Sequence, residues 1–324
     1  MKKSMSVVAF AAMLSGFGSA EAQIYPTRPI TMVVGFAAGG PTDTGARIVA
    51  EHIRASLGQP IIIENVVGAS GSIGAGRVAR GPPDGYLLSF GSVSTHVVNG
   101  AIYALPYDVL KDFTPVALVA ADPLLIVARR NMAAKDLMEL VGWLKANPDK
   151  ASVGTSGAGS ILHLASAVFR KETGTRFQLV PYRGSAPAMQ DLVAGQIDVM
   201  TDLASSVLPQ LHAGAIKAYA AMTKSRMTLA PDVPTVDEAG LPGLYVSSWF
   251  AVFAPSHTPK SIVATLNAAI VEGLTNSSLR ERLADLGQQI FPRDQQTPEA
   301  LAAWQKAEVE KWWPIIKAAG MKGE

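Results

Sequence analysis

Residues 30–47 have the sequence ITMVVGFAAGGPTDTGAR. The opening ITMVV run is apolar and rich in β-branched residues, which predicts a buried parallel strand. The run gives way to Gly39-Gly40, where the absence of Cβ atoms lets the backbone approach a ligand closely. A helix is predicted to follow, with Pro41 at its start and Thr42 or Asp43 placed to cap it.

A strand, a glycine turn and a helix N-terminus in this order form a socket of free N–H groups at the positive end of the helix dipole. Such a socket binds anions, and a carboxylate fits it as well as a phosphate does. The candidate ligand-binding residues in this stretch are Ala38, Gly39, Gly40, Thr42 and Asp43. A tight turn that binds no ligand explains the same pattern, and the stretch alone leaves that alternative open.

Composition narrows the classes of function. The chain has 324 residues, which suggests two domains or one large one. Its 48% hydrophobic and 17% charged residues are typical of a well-packed globular protein. A net charge of +2 without a run of Lys or Arg gives no indication of a nucleic-acid partner. The sequence contains no cysteine, which excludes disulfides, thiolate catalysis and cysteine-ligated metals.

The first 22 residues have the pattern of a signal peptide. Lys2 and Lys3 precede an apolar segment, residues 5–17, and the cleavage pattern Ala20-Glu21-Ala22 follows. The alternative is a membrane anchor, but the 13 residues of the apolar segment fall short of the roughly 20 that a spanning helix needs. We therefore expect a soluble periplasmic protein that begins near Gln23 and that, lacking cysteine, carries no lipid anchor.

The βα pattern repeats along the first third of the chain. Strands are predicted at 61–65 and 87–90, and each is followed by a loop of small polar residues. Ligands in open α/β sheets bind outside the carboxyl ends of the strands, so we expect these loops to face one crevice with the loop after the first strand. Ser70 and Ser94 are therefore added to the candidate ligand-binding residues.

A crossover to a second domain is predicted near residue 122. Residues 116–120 and 124–128 are two apolar runs, which we interpret as a pair of strands broken at Asp122-Pro123. The βα pattern then restarts, with further loops of small polar residues after its strands. The long aromatic run 247–253 is predicted as the strand that returns to the first domain.

These crossings define the predicted domains. Domain 1 is discontinuous, residues 23–122 and 247–324, and domain 2 is inserted as residues 123–246. Both alternate short strands with helices, so the fold class is α/β, with a mostly parallel sheet flanked by helices in each domain. Two segments that cross between domains have the geometry of a hinge.

Five segments, in this order and at this spacing, carry a resemblance to a known family. They are FAAGGPTD at 36–43, GASGSIG at 68–74, PDGY at 83–86, YRGSAPA at 182–188 and DLVAGQID at 191–198. Over nearly its whole mature length, the chain is similar to the periplasmic solute-binding receptors of tripartite tricarboxylate transport systems, also called Bug receptors. The resemblance implies a two-domain clamp of the type II periplasmic-binding-protein fold.

The resemblance also implies a function. The clamp would close on a small carboxylate (a di- or tricarboxylate, an amino acid or an aromatic acid) and perform no chemistry. Domain 2 would hold the ligand through two loops and a strand end, with the candidate residues Ser156, Gly157, Gly159, Ser160, His163, Tyr182, Gly184, Ser185, Ala186 and Asp202. This sequence departs from the common family pattern at Thr44-Gly45 and on both sides of Asp202, so the identity of the carboxylate stays open.

Motifs for enzymatic chemistry are missing from the sequence. Gly157-Ala158-Gly159 begins like a dinucleotide fingerprint, but Leu162 stands at the third glycine position. The chain contains no phosphate-binding loop, no G-x-S-x-G nucleophile elbow and no H-E-x-x-H metal motif. We therefore expect no catalytic residue, no metal and no cofactor.

Several side chains have a structural explanation beside the functional one. His163 is either a ligand contact or a packed histidine, and His96 favours a structural role in its loop. Arg183 can pair with a second carboxylate or lie in solvent. Asp202 can accept from a ligand or cap a helix. Trp304, Trp312 and Trp313 are expected to be core contacts of the last helix.

The partner is predicted less sharply than the ligand. A receptor of this kind would act as a monomer and deliver its carboxylate to a membrane permease. The alternative is a receptor that presents the same ligand to a membrane histidine kinase, and a secreted enzyme on the same fold is a third possibility.

Overall fold

The computed structural model of the chain describes residues 25–323. The predicted signal peptide, residues 1–22, lies outside the described residues. The strands are β1 (Ile30–Val34), β2 (Ile61–Asn65), β3 (Leu87–Ser92), β4 (Phe113–Arg129), β5 (Ser152–Thr155), β6 (Gln178–Pro181), β7 (Val199–Leu203), β8 (Ile216–Ala221), β9 (Ser247–Pro255) and β10 (Gln289–Ile290). The α-helices are α1 (Pro41–Leu57), α2 (Ser72–Ala79), α3 (Asn99–Ile102), α4 (Leu137–Ala146), α5 (Ile161–Thr173), α6 (Ser185–Val193), α7 (Ala204–His212), α8 (Lys260–Gly273), α9 (Ser277–Asp285) and α10 (Pro298–Ala318).

Strand β4 is 17 residues long and is shared by the two halves of the molecule. Its first part pairs antiparallel with β9 and β10, and its last part pairs antiparallel with β7 and β8. We call the half with β1, β2, β3, β9 and β10 lobe 1, and the half with β5 to β8 lobe 2. The strand order along the sheet is β2-β1-β3-β9-β4-β7-β5-β6.

Each lobe contains a parallel core of three strands. In lobe 1, β1 lies between β2 and β3 and is parallel to both. In lobe 2, β5 lies between β6 and β7 in the same way. The antiparallel pairings come from the strands that run between the lobes and from the short edge strands. The α/β class and the two-lobe clamp expected from the sequence are confirmed.

The predicted break at Asp122-Pro123 is wrong, because β4 continues through both residues. The Leu124 N–H donates to the Val246 carbonyl on the β9 side of the strand. Since N–H groups alternate along a strand, the Pro123 nitrogen faces the opposite side, where β10 has ended and β7 has not begun. The missing N–H of proline therefore interrupts no ladder hydrogen bond. The predicted domain boundaries fall inside β4 and directly before β9, and they stay a prediction.

The buried faces of the strands explain their sequences. In β1 the residues at 30, 32, 33 and 34 are at most 1% exposed, as expected for a strand with helices on both faces. Of the three tryptophans on α10, Trp312 is buried and the indole N–H of Trp313 donates to the Val97 carbonyl at 3.0 Å. Trp304 is 36% exposed with its ring against Phe291, so the core contact predicted for it is wrong.

Candidate ligand-binding site

Helix α1 begins at the mouth of the crevice between the lobes. Gly40 is its N-cap residue and Pro41 is its first residue, so Thr42 and Asp43 are not the caps that the sequence predicts. Within residues 25–323, no side chain donates or accepts a capping hydrogen bond at this N-terminus. The N-terminus of α1 at the crevice therefore has no capping side chain.

Asp43 holds the loop in place instead of capping the helix. Its carboxylate accepts from the Gly39 N–H and from Arg47 Nε, both at 2.9 Å, and from Asn65 Nδ2 at 2.9 Å. Burial alone would raise its pKa, but the hydrogen bonds from Arg47, Gly39 and Asn65 together lower it. This carboxylate thus holds Gly39, Arg47 and Asn65 together, and its contact with a ligand stays a prediction.

Gly39 is explained by its backbone conformation. Its φ is +79°, a value that side-chain-bearing residues seldom adopt, and a Cβ added there would meet no heavy atom within 4 Å. Its N–H is bound to Asp43, so it is not available to an anion. The space beside Gly39 is open, so the expectation that a ligand approaches this glycine closely stays a prediction.

A small cavity lies between the lobes, and we call it the inner cavity. Its volume is about 20 Å³. It is bordered by the N-termini of four helices, α1 from lobe 1 and α5, α6 and α7 from lobe 2. The lining residues are Phe36, Gly40, Pro41, Thr42, Ser92, Ser94, Ser156, Ile161, Leu162, Ser185, Leu203, Ser248 and Phe250. None of these side chains is charged, so the positive ends of the helices dominate the electrostatics of the inner cavity.

Asp202 adjoins the inner cavity through two of its lining residues. Its carboxylate is fully buried and accepts from Ser185 Oγ at 2.5 Å and from the Leu203 N–H at 2.8 Å. Burial raises the pKa of Asp202 to about 6, although these hydrogen bonds act in the opposite direction. The carboxylate thereby fixes the orientation of the Ser185 hydroxyl at the N-terminus of α6.

Direct hydrogen bonds join the lobes around the cavity. Ser94 Oγ accepts from the Ile161 N–H at 2.9 Å, which joins lobe 1 to the start of α5. Ser70 Oγ donates to the Ala158 carbonyl at 2.6 Å, and the Ala37 N–H donates to the Arg183 carbonyl at 3.3 Å. The structure is therefore that of a closed clamp.

Two glycines of lobe 2 allow this close approach. Gly157 and Gly159 have φ values of +102° and +85°. A Cβ on Gly157 would lie 2.7 Å from Ser70 Oγ, and one on Gly159 would lie 2.7 Å from Asn99 Oδ1. Both contacts are with lobe 1, so a side chain at either position would hold the lobes apart.

A larger, more open cavity adjoins the inner one and shares Phe36 and Ser156 with it. We call it the outer cavity, and its volume is about 330 Å³. It is lined by Gly35, Phe36, Gly68, Ala69, Ser70, Gly71, Tyr103, Ser156, Gly157, Ala158, Pro181, Tyr182 and Arg183. Arg183 is exposed and supplies the guanidinium in this lining.

The candidate residues predicted from the sequence divide into three groups. Those that line the inner cavity are Gly40, Thr42, Ser94, Ser156 and Ser185. Those that line the outer cavity are Ser70, Ser156, Gly157 and Tyr182. Those that line neither are Ala38, Gly39, Asp43, Gly159, Ser160, His163, Gly184, Ala186 and Asp202.

The residues of the third group support the loops around the cavities. Ser160 caps α5, since its Oγ accepts from the His163 N–H at 3.1 Å. The ring of His163 accepts from the Gly159 N–H through Nδ1 at 3.1 Å, and burial lowers the pKa of this histidine to about 4. His96 is fully buried and stacks on Phe253, in agreement with the structural role that its position favours.

The sequence prediction missed several lining residues that belong to strands, among them Ser92, Ser248 and Phe250. Ser92 lies at the end of β3, and Ser248 and Phe250 lie in β9. A signal was present for Ser248, because a serine stands there beside an otherwise aromatic and apolar run. Its side chain is 1% exposed, so the strand buries a polar group that the core does not need.

Two further observations concern metals and membranes. Within residues 25–323, no group of His, Asp or Glu side chains has the spacing that would hold a metal ion. In the same range, no helix combines the length and the apolar character that a membrane span requires.

The fold and the site together define a class of protein, the two-lobe clamps of the periplasmic-binding-protein kind. A model of the tripartite tricarboxylate transporter family receptor matches residues 45–321. The chain therefore belongs to the tripartite tricarboxylate transporter receptor family, as its five sequence segments indicate.

Relatives and solved structures agree with this assignment. The UPF0065 protein in the TAR-I ttuE-ttuC' intergenic region of Agrobacterium vitis is 40% identical over 91% of this chain and 86% of its own length. Protein BugT of Bordetella pertussis is 34% identical over 93% of this chain and 92% of its own length.

Three solved structures are similar over most of the chain. MatC from Rhodopseudomonas palustris with bound malate has a TM-score of 0.88 at 41% identity, and covers 90% of this chain and 100% of its own. The periplasmic binding protein BugD has a TM-score of 0.89 at 38% identity, with 93% and 100% covered. A second R. palustris protein, with adipate, has a TM-score of 0.88 at 34% identity, with 93% and 100% covered.

Proposed function

We propose that this chain is an extracytoplasmic receptor that captures a small organic carboxylate between its lobes and delivers it to a tripartite tricarboxylate-type membrane transporter. The observation that carries the proposal is the convergence of four helix N-termini, from both lobes, on one cavity without charged side chains. Backbone N–H groups and helix dipoles stabilise an anion there, and the hydroxyl groups of Ser94 and Ser156, two of the lining serines, can donate to it.

The size and chemistry of the ligand follow from the two adjoining cavities and from the relatives. MatC carries malate and a second relative carries adipate, so diacids of four to six carbons are the first ligands to test. The inner cavity, at about 20 Å³, holds little more than one water molecule. Ligand uptake therefore requires the lobes to be further apart than they are in this closed form, a movement that the β4–β9 hinge allows.

A receptor role also accounts for what the site lacks. Within residues 25–323, no histidine lines the inner cavity, and the Ser185 hydroxyl donates to the Asp202 carboxylate, which also accepts from the Leu203 N–H. The polar groups bind and orient an anion but do not transfer protons to it. Binding and release, rather than turnover, is the function that this arrangement serves.

A thermal-shift screen tests the proposal. The mature chain, residues 23–324, is heated with a panel of mono-, di- and tricarboxylates, together with phosphate and sulfate as anion controls. A carboxylate at 100 times its Kd adds about 2.7 kcal/mol to the free energy of unfolding and raises Tm by several degrees. If no carboxylate raises Tm at millimolar concentration, or if phosphate acts as strongly, the carboxylate-receptor function is refuted.

A further inference from the structure

Two serine side chains in the inner cavity have buried hydroxyl groups without a partner. Among the described residues 25–323, neither Ser92 Oγ nor Ser248 Oγ forms a hydrogen bond. Ser92 is 2% exposed and Ser248 is 1% exposed, so bulk solvent does not reach either side chain. Such groups are uncommon in folded proteins because the lost hydration is unfavourable. Because both serines line the inner cavity, a ligand held there can supply the missing partner.

Both hydroxyl groups belong to one wall of the inner cavity. Ser92 pairs with Phe250 across the β3–β9 ladder, so the two side chains lie on the same face of the sheet. Ser248 lies two residues before Phe250 in β9, which places it on that face as well. All three residues line the cavity. The helix N-termini occupy its other walls.

The inner cavity favours anionic and neutral polar groups over cationic ones. Its helix N-termini suit carboxylates, whereas none of its lining side chains is a carboxylate that could pair with an ammonium group. The adjoining acid, Asp202, already accepts from Ser185 and from the Leu203 N–H. A ligand hydroxyl both donates and accepts, and it can therefore bond to two serine hydroxyls at once.

We propose that Ser92 and Ser248 recognise a hydroxyl group on the ligand, so that the receptor binds short hydroxy-dicarboxylates more tightly than the matching plain or amino diacids. This inference rests on the proposed carboxylate-receptor function. A plain diacid leaves both serine hydroxyls unpaired, and an amino diacid buries an ammonium group without an opposite charge.

Calorimetry with four matched ligands tests the inference. L-malate, D-malate, succinate and L-aspartate differ only at one carbon, in carrying a hydroxyl, a hydrogen or an ammonium group. We expect the wild-type mature chain to bind one malate enantiomer roughly tenfold or more tightly than succinate and aspartate. Ser92→Ala and Ser248→Ala are expected to lower the affinity for that enantiomer about tenfold and to leave the affinity for succinate unchanged. Ser278→Ala, at an exposed serine on α9, is the control and should alter neither.

Unfolding of the ligand-free variants provides an independent measurement. Because the two hydroxyls have no partner to lose, Ser92→Ala and Ser248→Ala should keep or raise the Tm of the free protein. A serine with a structural hydrogen bond would show the opposite, a lower Tm when truncated. A clear fall in Tm for either variant would overturn the assignment of that serine.

The outcomes separate this inference from the function on which it rests. Equal affinity for malate and succinate, tighter binding of aspartate, or parallel losses for both acids in the serine variants would overturn hydroxyl recognition and leave the carboxylate receptor standing. Binding of another carboxylate with none of the four ligands bound would do the same. If no carboxylate binds at all, both proposals fail.

Discussion

Gly39 and Asp43 show how one residue of the glycine loop depends on another. The Gly39 N–H donates to the Asp43 carboxylate, and that carboxylate also accepts from Arg47 and Asn65. The positive φ of Gly39 lets the backbone turn toward Asp43 before α1 begins at Pro41. The glycine is thus required by the turn, and under the proposed function the N–H groups that bind the anion are those of the helix that follows.

Two substitutions of Gly39 test this explanation. Asparagine tolerates a positive φ, so Gly39→Asn should keep the carboxylate affinity within about threefold of the wild type and leave Tm nearly unchanged. Valine does not tolerate that φ, so Gly39→Val should lower the free energy of unfolding by about 1–2 kcal/mol. Calorimetry and ligand-free unfolding curves measure the two effects. A stable Gly39→Asn protein that has lost its affinity more than tenfold would show that Gly39 contacts the ligand after all.

At this scale the sequence predicts the loop but not the partners of its side chains. Glycine, proline and a following acid define the turn and the helix start, because these residue types have strong local preferences. Whether Asp43 faces a ligand or Asn65 depends on a strand 22 residues further along the chain. The same limit applies to Ser92 and Ser248, which become neighbours only when β3 pairs with β9. Local patterns carry no information on such pairings.

The elements around the cavity fit together through the loop between β5 and α5. Its Gly157 approaches Ser70, and its Ala158 carbonyl accepts from Ser70 Oγ and from the Tyr103 hydroxyl. These contacts join the N-terminus of a lobe 2 helix to lobe 1. The position of this loop therefore determines whether the four helix N-termini meet around one ligand.

Gly157→Ala should weaken closure specifically. The added Cβ lies 2.7 Å from Ser70 Oγ, so the closed form must shift while the open form need not. We expect carboxylate affinity to fall about tenfold or more, as measured by calorimetry. Gly174→Ala is the matched control, because Gly174 also has a positive φ but a Cβ there meets nothing within 4 Å. It should lower Tm to a similar degree and leave the affinity unchanged. Equal affinity losses in both variants would contradict the role of the loop.

Among the elements, β4 departs most from the sequence-based prediction. A proline after an aspartate normally indicates that a strand ends, so the sequence predicts a break at Asp122-Pro123. The break is absent because Pro123 occupies a gap between two neighbouring strands, which is a property of the whole sheet. The start of α1 at Pro41 is predicted correctly, because the glycine and proline signals that define it are local.

At the scale of the whole molecule, Asp122 links the two lobes of the clamp by hydrogen bonds. This residue of β4 accepts from the Ser205 N–H at the start of α7 and from Gln288 before β10, so it bonds to both lobes. Burial raises its pKa to about 7. The lobes meet again at the cavity, where the hydrogen bonds of Ser70 and Ser94 hold the closed form.

A disulfide across the crevice tests whether ligand uptake requires opening. The chain contains no cysteine, so Ser70→Cys with Gly157→Cys introduces a single possible pair. The short distance from the Gly157 Cβ position to Ser70 Oγ is compatible with a disulfide. We expect the oxidised double variant to bind no carboxylate and, when it is reduced, to recover the weakened binding expected for a side chain at position 157. Ser70→Cys alone, which cannot form the bond, is the control. Unchanged binding by the oxidised protein would rule out the clamp mechanism.

The continuity of β4 has a mechanical consequence. Many hinges are flexible loops, but here the two lobes share a hydrogen-bonded strand of 17 residues, roughly 55 Å long. Closing the lobes must bend or twist this ribbon, and the irregular pairing of β4 with β9 near Ala117 and Ala120 gives it places to deform. A strand pair of this kind resists bending away from its relaxed curvature. Part of the free energy of carboxylate binding would therefore go into deforming β4 and β9. Substitutions that stiffen the ribbon would then alter the affinity for the carboxylate without touching it.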